Sequence, residues 1–311
     1  MALYAFDGTN DDARDDGTDA AGVAQSTNVW KFYSAYDGMT SGAGVKNLYV
    51  PGVGTRLGEV GKVVGGAFGV GWLDRVNDAY DTLCAAYIKG DHTIDVIGFS
   101  RGSAIALDFV NKVAKRGIRQ GDTVVEPNPR IRFLGLFDVV AAFGVANLGF
   151  AFAELNVGHH LTLPANVDHC FHAIALDERR PSFVVTRVDG AYPVWFRGVH
   201  SDIGGGNANT GLNNITLRWM YHKAMLAGLP ITNAHISDDA CQPLDRIRPN
   251  FFSDLSKLTW RDLEATDILH YTVAQHKVLP DEPCRALVPG APVETADFET
   301  QRASLQPTSS T

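Results

Sequence analysis

A serine alcohol becomes a useful nucleophile only beside a general base, and that base needs a group to orient it. Ser100 stands where such chemistry could be built. It occupies Gly98-Phe99-Ser100-Arg101-Gly102, between the strand candidate Thr93 to Gly98 and a stretch of helical spacing from Ser103 to Lys115. Strand before and helix after is the context a nucleophile elbow requires, with small flanking residues keeping a strained turn free of clashes. The turn would raise the Ser100 hydroxyl above a sheet edge at a helix N-terminus. There the backbone N–H of Arg101 could meet a developing oxyanion. A plainer reading is a tight turn whose serine caps the helix. It accounts for Ser100 but not for a glycine on each side.

The base has to be chosen from ten histidines. His200 is the best placed. It leaves the strand candidate Val194 to Val199 and enters Ser201-Asp202-Ile203-Gly204-Gly205-Gly206, so it can reach the edge of a sheet. The competing reading is a loop histidine tied to Asp202. For the acid, Asp138 is the first polar residue after Ile131 to Phe137, at the sheet edge where catalytic groups collect in α/β folds. Asp177 and Asp202 are the alternative acids. Asp177 could instead pair with Arg179 and Arg180, and Asp202 could cap a helix. The chain order Ser, Asp, His is that of the α/β-hydrolases. In such folds a loop near the nucleophile donates a second oxyanion N–H, and Gly8 or Thr9 could supply it.

Other chemistries fit less well. An aspartyl-phosphate mechanism wants a second aspartate two residues before Asp7, where the chain has Ala5. The acidic stretch Asp11, Asp12, Asp15, Asp16, Asp19 lacks the spacing of a calcium loop and reads as solvated. His169 and His172 flank Cys170 without a matching ligand pair, so no metal is expected. His270 and His276 read as packing or surface residues. Cys84, Cys170, Cys241 and Cys284 are scattered, with no CxxC pair, and read as reduced thiols. No cofactor is required.

The elements that would position these groups alternate. Leu3 to Phe6, Asn47 to Val50, Thr93 to Gly98, Ile131 to Phe137, Phe183 to Val188 and Val194 to Val199 read as strands. Trp72 to Tyr87, Ser103 to Lys115 and Ile215 to Ala227 read as helices, the last stopped by Gly228-Leu229-Pro230. This predicts an α/β fold of the α/β-hydrolase type, with a mainly parallel central sheet and helices on both faces. Residues 231 to 300 continue the domain as a mixed, loop-rich segment. A single domain over 1–302 and a flexible tail over 303–311 are expected. Ala141 to Phe152 is apolar and reads as a lid, an acyl-binding wall or a buried helix.

Composition narrows the partners. The chain has 311 residues, 45% hydrophobic and 20% charged, with a formal net charge of −8. That balance suits a globular protein and disfavours nucleic acid, which is bound through clustered Lys and Arg. Met-Ala-Leu-Tyr-Ala-Phe-Asp lacks the basic and apolar regions of a signal peptide, and no apolar run has transmembrane length. The expectation is a protein made in the cytoplasm, with export by a signal-independent route left open.

Six segments, in order, carry a family resemblance. They are Phe6-Asp7-Gly8-Thr9-Asn10, Thr27-Asn28-Val29, Tyr49-Val50-Pro51-Gly52-Val53-Gly54-Thr55, Gly98 to Gly102, Ala175-Leu176-Asp177-Glu178-Arg179-Arg180 and Trp195 to Gly206. Over roughly residues 3 to 280 the chain resembles the α/β-hydrolase domain of bacterial type VI secretion phospholipase effectors. The resemblance implies a Ser-Asp-His hydrolase of ester bonds, phospholipid acyl esters in some members, with Ser100 and His200 carried over. Asp138 resembles the family's acid, although Val139 stands where the family has threonine. The implied substrate is a small-molecule or lipid ester. Transient membrane contact and a secretion-machinery or immunity partner are the implied associations. An amidase or peptidase using the same triad, and a non-catalytic interaction module, are the alternatives.

Overall fold

The structure is a computed structural model that describes residues 1–8, 26–37, 46–52, 67–141, 162–207, 210–232, 236–245, 247, 258–277, 284–287 and 289–294. Thr9, the acidic stretch 11–19, nearly all of 141–152 and the tail 303–311 lie outside these residues.

The chain alternates strand and helix as its periodicity predicts. The strands are β1 (Ala2–Phe6), β2 (Leu48–Val50), β3 (Ile94–Phe99), β4 (Ile118–Gln120), β5 (Thr123–Glu126), β6 (Ile131–Phe137), β7 (Cys170–Ala175), β8 (Tyr192–Phe196), β9 (Ile268–His270) and β10 (Val293–Glu294). The helices are α1 (Asn28–Ala35), α2 (Ala67–Ile88), α3 (Arg101–Arg116), α4 (His200–Gly204) and α5 (Thr210–Leu226). Eight strands form one sheet in the order β10-β9-β8-β7-β6-β3-β1-β2, and every pairing is parallel. The strands β4 and β5 form a separate antiparallel hairpin.

Both faces of the sheet are covered. Ala2, Tyr4 and Phe6 of β1 pack with α2 and α3, while Leu3 and Ala5 pack with α1 and α5. A strand buried on both sides reads as a continuous apolar run, which is why the first residues of the chain were legible.

Topology selects the site. The chain steps from β1 outward to β2, then returns to the other side of β1 to build the rest of the sheet. The switch point lies between β1 and β3, where open α/β sheets bind ligands at their carboxyl ends. Register aligns those ends. Phe6 pairs with Gly98, Phe99 with Phe137, and Phe137 with Ala173. Asp7, Ser100 and Asp138 therefore leave neighbouring strands along one edge.

Several elements differ from expectation, among them α1, α4 and the β4–β5 hairpin, which the periodicity did not predict. Phe183 to Val188 is not a strand. Its first residue ends a 3-10 turn, Pro181–Phe183. Its backbone is used elsewhere: Thr186 N–H donates to Val139 O, and Phe183 O accepts from a buried arginine described below. The sheet position is filled instead by β7, which contains the buried His172. The loop-rich C-terminal region also contributes β9 and β10 to the same sheet.

Candidate active site

Ser100 holds φ 57° and ψ −124°, a conformation L-residues rarely adopt. Its surroundings explain the pentapeptide. A Cβ on Gly98 would lie 2.7 Å from Ser103 Cα, and one on Gly102 would lie 2.3 Å from Phe6 O. Strand, turn and helix can close this tightly only with glycine at both positions. Ser100 N–H donates to Phe137 O at 2.9 Å, and Ser103 Oγ donates to the same carbonyl at 3.1 Å. The turn is thus tied to the strand that delivers Asp138.

His200 begins α4. Its Nε2 lies 2.8 Å from Ser100 Oγ, and its Nδ1 lies 2.6 Å from Asp138 Oδ2. A carboxylate can only accept, so Nδ1 carries the proton and Nε2 is left to accept from the serine hydroxyl. The ring is held between Phe99 and Phe183, each with its centroid 4.7 Å away. Burial pushes the imidazole's proton affinity below the ordinary histidine value, and Asp138 pulls it back only in part. His200 is therefore neutral at pH 7, the state a general base requires.

Asp138 is fully buried, with φ 39°. Its Oδ1 accepts from Ala175 N–H at 2.9 Å and from Arg261 Nη1 at 2.6 Å, and its Oδ2 accepts from Arg261 Nη2 at 3.0 Å. Burial alone would raise its carboxyl. The Arg261 charge and the bond to His200 reverse that and hold it well below the carboxylate range.

The alternative acids lie elsewhere. Asp177 accepts from Arg197 Nη1 at 2.7 Å, Gly198 N–H at 2.9 Å and Arg285 N–H at 2.8 Å. It braces the segment that leads to His200 without meeting its ring. Asp202 accepts from Val199 N–H and Asp245 N–H, each at 3.0 Å, and so secures the start of α4. Burial raises its pKa to about 7, outweighing the hydrogen bonds that would lower it.

The oxyanion candidates divide. Arg101 follows Ser100 directly as the first residue of α3. Gly8 N–H already donates to Asp7 Oδ1 at 2.7 Å, while Asp7 Oδ2 accepts from Thr27 Oγ1 at 2.7 Å and Tyr49 OH at 2.5 Å. In this geometry Gly8 serves the Asp7 turn. His172, read from sequence only against a metal, faces Asp138 instead. Its Nε2 accepts from Val139 N–H at 3.1 Å, and burial lowers its pKa to about 4. Among the described residues, no three His, Cys, Asp or Glu side chains are grouped to hold a metal.

Sequence reasoning missed Arg261 and Glu178. Glu178 Oε2 accepts from His200 N–H at 3.2 Å, and the carboxylate is paired with Arg180 at 2.7 Å. Glu178 sits beside Asp177 in a segment already singled out, so its burial was the only unseen fact. Arg261 follows Trp260 in a stretch without periodicity, and nothing in its local sequence marks it.

A parallel, doubly covered sheet with a strained serine at its switch point, in chain order Ser100, Asp138, His200, defines the α/β-hydrolase class. Within it, the sequence matches the type VI secretion family described as phospholipase effector Tle1-like, catalytic domain, over residues 3–122 and 110–223, and the chain belongs to that family. Two solved structures are similar. One is an uncharacterized protein from Pseudomonas aeruginosa, 22% identical, TM-score 0.49, covering 74% of this chain and 46% of that one. The other is the Tle1 effector bound to the VgrG spike of the type 6 secretion system, 24% identical, TM-score 0.48, covering 66% and 51%. The chain thus spans about half the length of each. No curated protein matches it.

Proposed function

We propose that the chain is a serine esterase that cleaves acyl esters of lipids, phospholipids among them, through an acyl-enzyme. One observation carries this reading. The His200 ring bridges Ser100 Oγ at 2.8 Å and Asp138 Oδ2 at 2.6 Å, in the tautomer a base needs. Ser100 Oγ attacks the ester carbonyl carbon and passes its proton to His200 Nε2. Asp138 holds the imidazolium through Nδ1–H. The oxyanion forms beside the N–H of Arg101 at the head of α3, where the helix dipole favours negative charge. Collapse expels the alcohol, which takes the proton back from Nε2. Water, deprotonated by His200, then attacks the acyl-enzyme and releases the acid.

Family membership supports the lipid ester over other acyl compounds. No helix among the described residues is long and apolar enough to cross a membrane. A secretion-machinery or immunity partner belongs to the same proposal.

The test is labelling of the purified chain with a fluorophosphonate, followed by hydrolysis of short and long acyl esters and of matching amides. We expect one label per chain at Ser100, turnover of esters, and loss of both in Ser100→Ala. Amide turnover exceeding ester turnover would replace the esterase with an amidase. An unlabelled wild-type chain would leave a binding module of the same fold.

A further inference from the structure

We propose that Arg261 is a positioning residue of this site, whose guanidinium grips both oxygens of Asp138 and fixes the carboxylate against His200. The inference rests on the hydrolase reading for its consequence and on geometry for its existence.

All four terminal N–H groups of Arg261 are engaged. Nη1 donates to Asp138 Oδ1 at 2.6 Å and to Ala175 O at 3.0 Å. Nη2 donates to Asp138 Oδ2 at 3.0 Å and to Phe183 O at 2.7 Å. This is the bidentate fork that only arginine presents. The two carbonyls fix its plane, and through Phe183 it also fixes the ring packed on His200. Arg285 secures it from behind, donating from Nη1 to Arg261 O while its own N–H reaches Asp177. Asp177 in turn holds Gly198, two residues before His200. Acid and base are therefore braced by one connected set of charged groups. Arg261 and Arg285 come from beyond residues 3–223, the part matched to the family.

A cation on the acid has a predictable sign. It opposes protonation of His200, so the base stays free to lower pH than a bare Asp-His pair allows. The other ionisable groups facing the pair are Glu178 and Arg180 beside His200, and His172 beside Asp138, with Arg187 near His172. None of these replaces Arg261, because none donates to Asp138.

The experiment compares Arg261→Met and Arg261→Lys with wild type. Turnover of a soluble ester is followed against pH, and the His200 ring is titrated by NMR. Arg261→Met should lower kcat about a hundredfold by loosening the pair. It should also move the acidic limb and the His200 titration upward by about one pH unit. Arg261→Lys keeps the charge and loses the fork, so kcat should fall while the limb stays. A merely structural arginine would lower activity without moving the limb. A folded Arg261→Met chain with an unmoved limb and unmoved His200 titration overturns the proposal. If Arg261→Met does not fold, Arg261→Lys and Arg261→Gln decide, since both donate and only one is charged. A shared limb in those two overturns it equally. The ring titration can be run in a Ser100→Ala background, where no turnover is needed. Failure of the hydrolase reading would remove turnover from the wild-type chain but leave that titration difference intact.

Discussion

Replacing Asp138 with asparagine separates the triad reading from its rivals. All four contacts to the carboxylate come from donors: His200 Nδ1–H, Ala175 N–H and two from Arg261. An amide offers one acceptor end and one donor end. If the NH2 faces Ala175 and Arg261 Nη1, it meets two other N–H groups. If it faces His200, the ring must accept at Nδ1 and carry its proton on Nε2, where it can no longer take the Ser100 proton. Either way Arg261 is left buried without a counter-charge. Breaking a buried ion pair from one side costs about 3–5 kcal/mol. The wrong tautomer costs about 10⁴ in turnover where it has been measured in serine proteases. We therefore expect Asp138→Asn to retain less than about a thousandth of wild-type ester turnover. Its unfolding free energy, measured in urea, should fall by about 3 kcal/mol. The double variant Asp138→Asn/Arg261→Met should recover much of that stability, because both charges go, and none of the activity. Turnover within tenfold of wild type in Asp138→Asn would refute the assignment of the acid.

Asp177→Asn leaves Arg197 buried against a neutral partner, so we expect about 3 kcal/mol lost in denaturant unfolding. Fluorophosphonate labelling should slow but survive; complete loss would mean Asp177 meets the ring after all. Gly102→Ala drives a Cβ to 2.3 Å from Phe6 O and 2.5 Å from Asp7 O, both backbone atoms that cannot swing aside. A drop of about 3 kcal/mol with loss of Ser100 labelling is expected, and an unchanged melting temperature would contradict the close approach. Asp202, with its pKa raised to about 7, favours the fold while protonated. Its contribution is fully present below the ordinary aspartate value and is lost as pH rises through about 7. Wild type should lose up to about 4 kcal/mol more than Asp202→Asn between pH 4 and pH 8. Parallel pH profiles in urea unfolding would refute a buried, protonated Asp202.

What could be read in advance was whatever local constraint writes into sequence. Ser100 was legible because its turn forbids a Cβ at both flanking positions. Asp138 was legible because it is the first ionisable side chain after a buried apolar run, and His200 because it leaves a strand for a glycine-rich segment. Arg261 was not, because its role is set by a long-range approach to Ala175, Phe183 and Asp138, and its own neighbours show no period. β7 was missed for a related reason. A histidine in Cys170-Phe171-His172-Ala173 looks like a ligand until Val139 N–H is seen to satisfy it. Phe183 to Val188 had the composition of a strand. Its backbone groups were claimed by Arg261 and Val139, and the sheet closed without it.

The electrostatics of the site follow from how deeply it is buried. Asp138 and Glu178 are both fully inaccessible, and an isolated carboxylate in that position would protonate rather than stay charged. Each has instead been given an arginine, Arg261 for one and Arg180 for the other. Between them His200 has charges of both signs around it, with Asp138 at 2.6 Å. On the proposed triad reading the pairing works against catalysis in one respect, since Arg261 would weaken the pull of Asp138 on the imidazolium that forms when Ser100 is deprotonated. It works for catalysis in two others. Asp138 stays an acceptor well below the usual carboxylate range, and its orientation is fixed before substrate arrives, so little reorganisation is left for the transition state. A lone carboxylate could pull harder only if water reached it, and water would screen the same pull. In a site this closed, the paired acid is the arrangement that keeps both the charge and the geometry.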